Sequence, residues 1–494
     1  MKVKRLEMAV PRRLPALRSW LEQKERRLGL ISSIDGEQLI TLVLDPRAAA
    51  AELWESPLEA DQYPSLTPAI PQCHWFERAV FDLFGLYADG HPRLKGVLLH
   101  EEYDPQFQPL RTGARPPGIV STAQRRHEFL RVEGEGVYEL PVGPIHAGII
   151  EPGHFRLSCL GEVILNLEIR LGYLHRGVEK RMTQVPWGKG RFVAEAASSD
   201  TAVANALAHA IAIEALLGIE VPARAQFLRS LALEVERIAM HIIDIGGMAV
   251  DIGFLGIASS LARMRGSALR LADLLAGSRF MRGFICPGGV KRDPGANLAK
   301  IHQSVRQLNF AVEKIVSMFL DSPGAQERLE GVGRVSPSLA REFGLVGVAA
   351  RGCGIAYDTR AHFEHGTFPR YAPPVVTESA GDALSRIRVR VAELFNSMSF
   401  VYNLSDAVPD GPVLTELPEN LPPDSTGLGI VEAYRGELIH LAFTDAAGRI
   451  KRYVIKDPSF NNWTGLSIAV RNNLVADFPI CNKSFSLSYS GHDL

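Results

Sequence analysis

Thiolates have the strongest capacity for redox and metal chemistry, and their spacing limits what this chain can do. The five cysteines lie far apart in the sequence, at Cys73, Cys159, Cys286, Cys353 and Cys481. An iron–sulfur cluster is normally held by four thiolates at clustered spacings, and no two of these cysteines form a C-x-x-C pair. We therefore predict that this chain alone binds no iron–sulfur cluster and that its cysteines are reduced and buried.

Nucleotide and nucleic-acid binding are not indicated either. The glycine clusters at Gly288-Gly289 and Gly352-Cys353-Gly354 lack the G-x-G-x-x-G spacing that follows a strand in dinucleotide-binding proteins. The chain has 54 Lys and Arg against 55 Asp and Glu, a net charge of −1, so it lacks the basic field that nucleic-acid binding needs. We expect neither NAD nor nucleic acid to bind.

The segment GYLHRGVEK, residues 172–180, concentrates ionisable side chains. His175 and Glu179 are four residues apart, a spacing at which opposite charges stabilise a helix. Proton relay or contact with a partner protein is the functional alternative, and the spacing leaves both interpretations open.

Two kinds of structure must position these side chains. Residues 28–45 have the pattern of two strands joined by a turn at Asp35-Gly36, and proline and glycine interrupt the chain over residues 104–118. We predict an N-terminal α/β domain over residues 1–120 and a linker over residues 121–135.

Beyond the linker the pattern becomes helical. Residues 224–245 repeat apolar side chains every three or four positions, and Gly246-Gly247 is expected to end that helix. Similar patterns occupy residues 196–219, 257–277, 297–320 and 381–403, and three short β-rich runs lie within about residues 427–456. The predicted fold class is α+β, in which residues 136–494 form a large helical bundle with a small β cap.

No segment reaches the roughly 18–20 apolar residues that a membrane-spanning helix needs. The most apolar stretch, residues 201–219, is interrupted by Asn205, His209 and Glu214. The basic N-terminus lacks the apolar segment of a secretory signal. We expect a cytoplasmic protein whose link to a membrane is made by other subunits.

Several motifs resemble known families. Residues 74–111 contain W-x-E-R, D-L-F-G, G-H-P and P-L-R in order, as at the end of the C-type subunit of respiratory complex I. From residue 140 onward, G-P-x-H, G-Y-L-H-R-G-x-E-K and R-A-Q-x-x-R resemble the D-type subunit of complex I and the large subunit of group 4 [NiFe] hydrogenases. The C-then-D order is similar to that of formate hydrogenlyase large subunits.

The resemblance to hydrogenases implies four cysteine ligands for nickel and iron, and this sequence lacks them. The first C-x-x-C of the family falls on Ser198 and Thr201, and the second falls on Ser488 and Gly491. Alcohols near pH 7 are neutral, hard and weak ligands, and glycine offers none. We therefore predict no metal site here and no working [NiFe] hydrogenase.

The D-type subunit of complex I lacks the same cysteines and uses the emptied cavity for a quinone headgroup, so the resemblance also implies a quinone site. In that family the second histidine of a G-P-x-H-P-x-x-H-G loop contacts the quinone, together with a tyrosine. Here the first loop histidine is matched by His146, but Ile150 stands at the spacing of the second, and the tyrosine position falls near Ser199. His154 is the substitute if the loop has shifted.

The polar candidates left around the expected cavity are His146, Ser198, Ser199, Asp200, Arg435 and Ser488. Arg435 corresponds to an arginine that lies over the metals of hydrogenases, which suggests that it projects into the cavity. An ion pair with Glu432 or Asp477 that ties the β cap to the bundle is an equal alternative. Asp200 is expected either to cap a helix or, if buried, to have a raised pKa. Asp200 and His146 are the candidate proton donors.

The leading hypothesis is a subunit of a complex I-like, hydrogenase-related membrane oxidoreductase without nickel. The resemblance implies a partner that holds a [4Fe-4S] cluster, similar to the B-type subunit of complex I, and membrane partners similar to its H-type and antiporter-like subunits. It implies electron transfer to a quinone, coupled to ion movement, at the cytoplasmic face of the inner membrane. The alternatives are a scaffold with a sealed cavity, or a site for another metal. An open cavity beside Ser198, Arg435 and Ser488 favours the quinone hypothesis, whereas filling by Phe485, Leu487 and Tyr489 favours the scaffold.

Overall fold

A computed structural model describes residues 3–23, 25–114, 127–146, 150–363 and 365–494. The first part of the chain contains β1 (Val3–Glu7), α1 (Arg13–Glu22), β2 (Arg27–Ile34), β3 (Gln38–Asp45), β4 (Ala50–Pro57), β5 (Gln62–Pro64), α2 (His74–Phe84) and β6 (Tyr87–Asp89). Four strands form a sheet in the order β1-β4-β3-β2, in which only β1 and β4 are parallel. The predicted hairpin is present, and its turn residues Asp35 and Gly36 both have positive φ.

The middle of the chain is mainly helical. Its elements are β7 (Val137–Val142), β8 (His154–Leu160), β9 (Val163–Arg170), α3 (Val178–Gln184), α4 (Gly190–Glu195), α5 (Ala202–Leu217), α6 (Ala223–Asp251), α7 (Leu255–Ala276), β10 (Ile285–Cys286), β11 (Gly289–Val290), α8 (Asn297–Leu320), α9 (Pro323–Leu329), α10 (Pro337–Glu342), α11 (Gly347–Arg351), α12 (Thr359–His362), α13 (Phe368–Tyr371) and α14 (Ala383–Ser405). The long helices α6, α7, α8 and α14 pack on one another around a shared apolar core.

The C-terminal part contains β12 (Thr426–Ala433), β13 (Gly436–Thr444), β14 (Ile450–Lys456), α15 (Pro458–Ala469), α16 (Phe478–Phe485) and α17 (Tyr489–Asp493). The three strands form the predicted β cap as an antiparallel sheet in sequence order. Apolar residues of this cap and of the N-terminal sheet share one core, so the first part of the chain packs on the cap. The mixture of helix and sheet agrees with the α+β class. The domain bounds stay a prediction, and residues 115–126 lie outside the described ranges.

Three expectations about elements were wrong. The antiparallel sheet β7-β8-β9 occupies residues expected to be helical or loop. Helix α5 begins at Ala202, so residues 196–201 are a loop. Helix α6 continues through Gly246-Gly247 to Asp251. A Cβ at Gly246 would lie 3.3 Å from Leu261 Cβ, so this glycine allows α7 to pack closely instead of ending α6.

The five cysteines are all buried, as predicted. Among the residues that the structure describes, no helix is both long enough and apolar enough to cross a membrane.

The cap strand β12 lies unusually close to α5. A Cβ at Gly429 would lie 2.0 Å from the carbonyl oxygen of Ala208, and one at Gly427 would lie 2.1 Å from that of Ala212. These glycines therefore set the position of β12, and of the turn that follows it, relative to the start of α5.

We predict that Gly429→Ala destabilises the folded protein by about 1–3 kcal/mol, because the added methyl overlaps a backbone atom that cannot rotate away. Thermal unfolding of the purified protein measures this. Gly256→Ala in α7 is the matched control, since its Cβ would meet nothing within 4 Å and alanine favours the helix. Equal stability of the two variants would contradict the close approach of β12 to α5.

Candidate functional site

Three segments of the chain converge at the positions predicted for the lost metal ligands. The loop of residues 196–201 contributes Ser198 and Asp200 from the start of α5. The two-residue turn between β12 and β13 contributes Tyr434 and Arg435. The third segment lies between α16 and α17 and contributes Ser488, whose side chain caps α17. We call Ser198, Asp200, Tyr434, Arg435 and Ser488 the polar cluster.

A bidentate ion pair is the centre of the polar cluster. Arg435 Nη1 donates to Asp200 Oδ1 at 2.8 Å, and Arg435 Nη2 donates to Asp200 Oδ2 at 2.7 Å. The Tyr434 hydroxyl donates to Oδ2 at 2.9 Å, and the Ser198 hydroxyl donates to Oδ1 at 2.8 Å. Arg435 Nε also donates to the carbonyl oxygen of Ser486. The pair therefore ties the loop, the cap turn and the C-terminal segment together.

The positions of the four expected ligands lie together, as the motif spacing implied. The hydroxyl oxygens of Ser198 and Ser488 are 3.0 Å apart although 290 residues separate them in sequence. Gly491 N donates to Ser488 Oγ at 2.9 Å, and Thr201 is the first residue before α5. A Cβ at Gly491 would lie 2.5 Å from Asp457 Oδ2, so a cysteine there would displace that carboxylate. The residues present do not fit a nickel–iron centre.

Three large apolar side chains close to Ser488 in the sequence are buried. Phe485, Leu487 and Tyr489 are only 4–7 % exposed and belong to the same apolar core as Trp463. Arg435 is 6 % exposed, but the Asp200 side chain is 36 % exposed, and Ser199 next to it lies on the surface. The polar cluster is therefore buried at Ser198, Arg435 and Ser488 and reaches solvent at Asp200.

The expectation of a raised pKa or a capping role for Asp200 is wrong. Burial would raise the pKa of this carboxyl, but the charge and hydrogen bonds of Arg435, with those of Ser198 and Tyr434, lower it to about 2. Asp200 is thus ionised at neutral pH and is an unsuitable proton donor. It does not cap α5, because Thr201 holds the cap position and makes no side-chain cap bond.

Glu236 of α6 has both properties that were expected of Asp200. Its carboxylate accepts hydrogen bonds from Val203 N at 2.7 Å and Ala204 N at 3.1 Å, at the start of α5. Burial and the nearby charge of Asp200 raise the pKa of Glu236 to about 8 despite those bonds. Sequence reasoning missed it, although an acid within the apolar face of a long helix was a usable signal.

The two candidate histidines lie outside the polar cluster. His146 hydrogen-bonds through Nε2 to Gly153 O at 2.8 Å. His154 is the first residue of β8, and its Nδ1 lies 3.2 Å from Gly143 O. In the described part of the chain neither ring hydrogen-bonds to the cluster. Ile150 is 39 % exposed, and residues 147–149 of this loop lie outside the described ranges.

The loop does meet the C-terminal segment through a residue that sequence reasoning missed. Glu151 accepts hydrogen bonds from Tyr489 N at 3.2 Å and Ser490 N at 3.0 Å, next to Ser488. The segment Glu151-Pro152-Gly153-His154 resembles the hydrogenase version of this loop, but Glu151 was not among the candidate site residues, because its partners are backbone groups more than 300 residues away.

The alternative partners of Arg435 were also wrong. Glu432 pairs with Arg351 at 2.7 Å, and Asp477 lies 3.9 Å from Arg328. Arg351 bridges Glu432 and Glu393 in a buried ionic network below the cap. This network approaches the polar cluster at His241, whose Nε2 is 3.1 Å from Glu393 Oε2 and whose ring lies 6.0 Å from that of Tyr434.

His175 and Glu179 do not form a helical pair, because α3 begins only at Val178. His175 Nδ1 is 2.7 Å from the carbonyl oxygen of Asp493. Glu179 pairs with Arg452 at 2.9 Å and accepts from Ile455 N at 2.8 Å. His175, just before α3, and Glu179, within α3, thus both bond to the C-terminal part of the chain.

This chain is similar to known proteins over most of its length. Residues 251–430 match the family model of the respiratory-chain NADH dehydrogenase 49 Kd subunit, and residues 27–118 match that of the 30 Kd subunit. Formate hydrogenlyase subunit 5 of Escherichia coli (strain K12) is 32% identical over 438 residues, which cover 87% of this chain and 77% of that protein. The C/D subunit of NADH-quinone oxidoreductase from Phocaeicola vulgatus is 27% identical, covering 77% and 76%.

Among solved structures, a chain of the membrane-bound sulfane sulfur reductase, described as an archaeal respiratory membrane complex, superposes with a TM-score of 0.69. The sequence identity is 27%, and the match covers 73% of this chain and 99% of that chain. The resemblance inferred from the motifs is confirmed.

We predict that Asp200→Asn lowers the stability at pH 7 by about 1–2 kcal/mol, since partial exposure screens the ion pair. The pKa of Asp200 in the folded protein, about 2, lies below its ordinary value of 3.8. Because its pKa is lowered by folding, the ionised Asp200 contributes to the stability of the folded protein above about pH 4, and this contribution is lost as the pH falls toward 2. Unfolding curves from pH 7 to pH 3 should show the two proteins converging in acid. Asp410→Asn, at an exposed position after α14, is the control, for which we expect little change. A difference that stays constant with pH would contradict the ionised pair.

Proposed function

This chain belongs to the family of fused 30-kDa and 49-kDa complex I-type subunits that includes formate hydrogenlyase subunit 5, and we propose that it works in a membrane oxidoreductase without a nickel–iron centre. The observation that carries this proposal is the direct contact of Ser198 and Ser488, 3.0 Å apart at two of the expected ligand positions. Neutral hydroxyls do not replace thiolates as ligands of nickel or low-spin iron.

We further propose that electrons arrive from a [4Fe-4S] cluster in a partner similar to the B-type subunit of complex I and pass to a quinone. The exposed edge of the polar cluster, at Asp200 and Ser199, supports a site that a small molecule reaches from outside. Because Ser198 and Ser488 are 1 % and 2 % exposed and hydrogen-bond to each other, we propose that a headgroup binds at this edge rather than between the two serines.

Quinone reduction consumes protons, and the proposal assigns their delivery to groups that can hold one. His146 keeps the donor role expected from its motif. Glu236 joins it, because its pKa of about 8 leaves the carboxyl protonated at neutral pH. Asp200 takes the role of counter-ion to Arg435. Ser199, which is exposed next to Asp200, is a candidate contact at this edge, whereas Ser488 and His154 are candidates from the motifs alone.

The remaining parts of the proposal concern the assembly. Two similar proteins, the alpha subunit of the membrane-bound hydrogenase of Pyrococcus furiosus and a chain of the archaeal respiratory membrane complex, support partners in a membrane. We propose partners similar to the H-type and antiporter-like subunits of complex I, through which reduction drives ion movement, with this chain peripheral on the cytoplasmic face of the inner membrane.

A scaffold is the second candidate function. The burial of Phe485, Leu487 and Tyr489 favours it, because a sealed cavity would require these side chains to be buried. In this case the chain joins the cluster-bearing subunit to the membrane subunits and performs no chemistry at the polar cluster.

We predict that the intact membrane complex, purified through a tag on this chain, contains iron and quinone but no stoichiometric nickel. Metal analysis and quinone extraction from the same sample measure all three together. Nickel at one atom per complex would contradict the proposal that the serines replace metal ligands. Iron without quinone would favour the scaffold.

We predict that His146→Ala and Glu236→Gln each lower quinone-linked turnover of the complex by roughly 10²-fold, the usual effect of removing a general acid. The wild-type rate should fall above about pH 8, where Glu236 loses its proton, and Glu236→Gln should remove that part of the pH profile. His302→Ala in α8, whose ring contacts Tyr402, is the control. Unchanged turnover in either variant would eliminate the corresponding residue as a donor.

A further inference from the structure

The carboxylate is the outer partner of the ion pair between Asp200 and Arg435. The Arg435 side chain is 6 % exposed, whereas the Asp200 side chain is 36 % exposed. Arg435 is held from the inner side by the Ser486 carbonyl oxygen and packs over the Tyr434 ring, with its guanidinium carbon 4.4 Å from the centroid. Its two terminal nitrogens therefore point toward the edge at which Asp200 meets solvent.

A guanidinium presented in this way is a ready site for an anion. Its two parallel N–H groups match the two oxygens of a carboxylate or another oxyanion, a geometry that gives strong, charge-assisted hydrogen bonds. Here Asp200 supplies both oxygens, at 2.8 Å and 2.7 Å. The protein thus carries its own anion in the position that an external one would take.

Apart from its bonds within the polar cluster, which join the loop to the cap turn, Asp200 has no described structural role. It does not cap α5, and Glu236 instead accepts from the backbone groups at the start of that helix. The described hydrogen bonds of the Asp200 carboxylate all come from Arg435, Tyr434 and Ser198, which are members of the polar cluster.

We propose that Asp200 is a resident counter-ion that occupies the anion-binding face of Arg435 and so restricts the exposed edge of the polar cluster to uncharged substrates. The inference rests on the proposed function in one respect, since it is the oxidised substrate of that reaction whose class it names. At this edge Arg435 and Asp200 pair with each other, so among the described cluster residues neither presents an unpaired charge to a neutral carbonyl acceptor such as a quinone. An oxyanion substrate meets the negative charge of Asp200 first.

Removal of the counter-ion should convert the pair into an anion site. Asp200→Gly removes the CH2–COO− side chain, which has the shape and charge of acetate. Acetate is therefore the probe. We expect 50 mM sodium acetate to raise the midpoint of thermal unfolding of the intact variant complex by about 2–4 °C relative to sodium chloride of equal ionic strength. The wild-type complex should show no such difference, because Asp200 already fills the site.

Two variants separate this inference from a simple loss of packing. Asp200→Asn fills the same space without charge and should not respond to acetate. Asp200→Gly combined with Arg435→Gln lacks the cation and should not respond either. An acetate response that survives in the double variant, or no response in Asp200→Gly, would overturn the proposal.

The test remains decisive if Asp200→Gly does not assemble. Recovery of assembly in the double variant with Arg435→Gln would show that an uncompensated cation caused the failure, as a counter-ion role requires. Failure of both variants would show that Asp200 is needed for structure alone. Acetate binding is measured without turnover, so absence of quinone activity would count against the proposed function and not against the counter-ion.

Discussion

The close approach of β12 to α5 is the constraint on which the polar cluster depends. Gly427 and Gly429 let the strand lie against the backbone of α5, where any side chain would collide with a carbonyl oxygen. The turn after β12 then places Tyr434 and Arg435 beside the loop that precedes α5. A shift of one residue in this strand would turn its side chains to the opposite face and remove Arg435 from the site.

Charge compensation explains why the interior tolerates so many ionised side chains around this point. Below the cap, Arg351 lies between Glu393 and Glu432, and Arg360 pairs with Glu234 and Asp358. A buried charge without a partner is costly, whereas a fully hydrogen-bonded network is tolerated and fixes the arrangement of the elements that contribute to it. The pair between Asp200 and Arg435 follows the same rule at the edge of the protein.

Replacement of thiolates by hydroxyls changes what holds the site together. Four thiolates around metal ions are joined by coordination, but Ser198 and Ser488 are joined by a hydrogen bond between their own side chains. The third segment is retained by Arg435 and by the loop acid Glu151. Hydrogen bonds within the chain thus replace metal–ligand bonds, and the same three segments remain in contact.

The sequence by itself determined the family, the α+β class, the long helices and the absence of thiolate ligands, because motifs, periodicity and residue types are local properties. It also located Ser198 and Ser488 at equivalent ligand positions. Only the tertiary structure decided that Arg435 pairs with Asp200 rather than with Glu432, and that the raised pKa belongs to Glu236. Arg435 lies 235 residues from Asp200 in the sequence, and the raised pKa of Glu236 results from its burial and from the nearby charge of Asp200 in the folded chain, so the spacing of residues within one segment predicts neither.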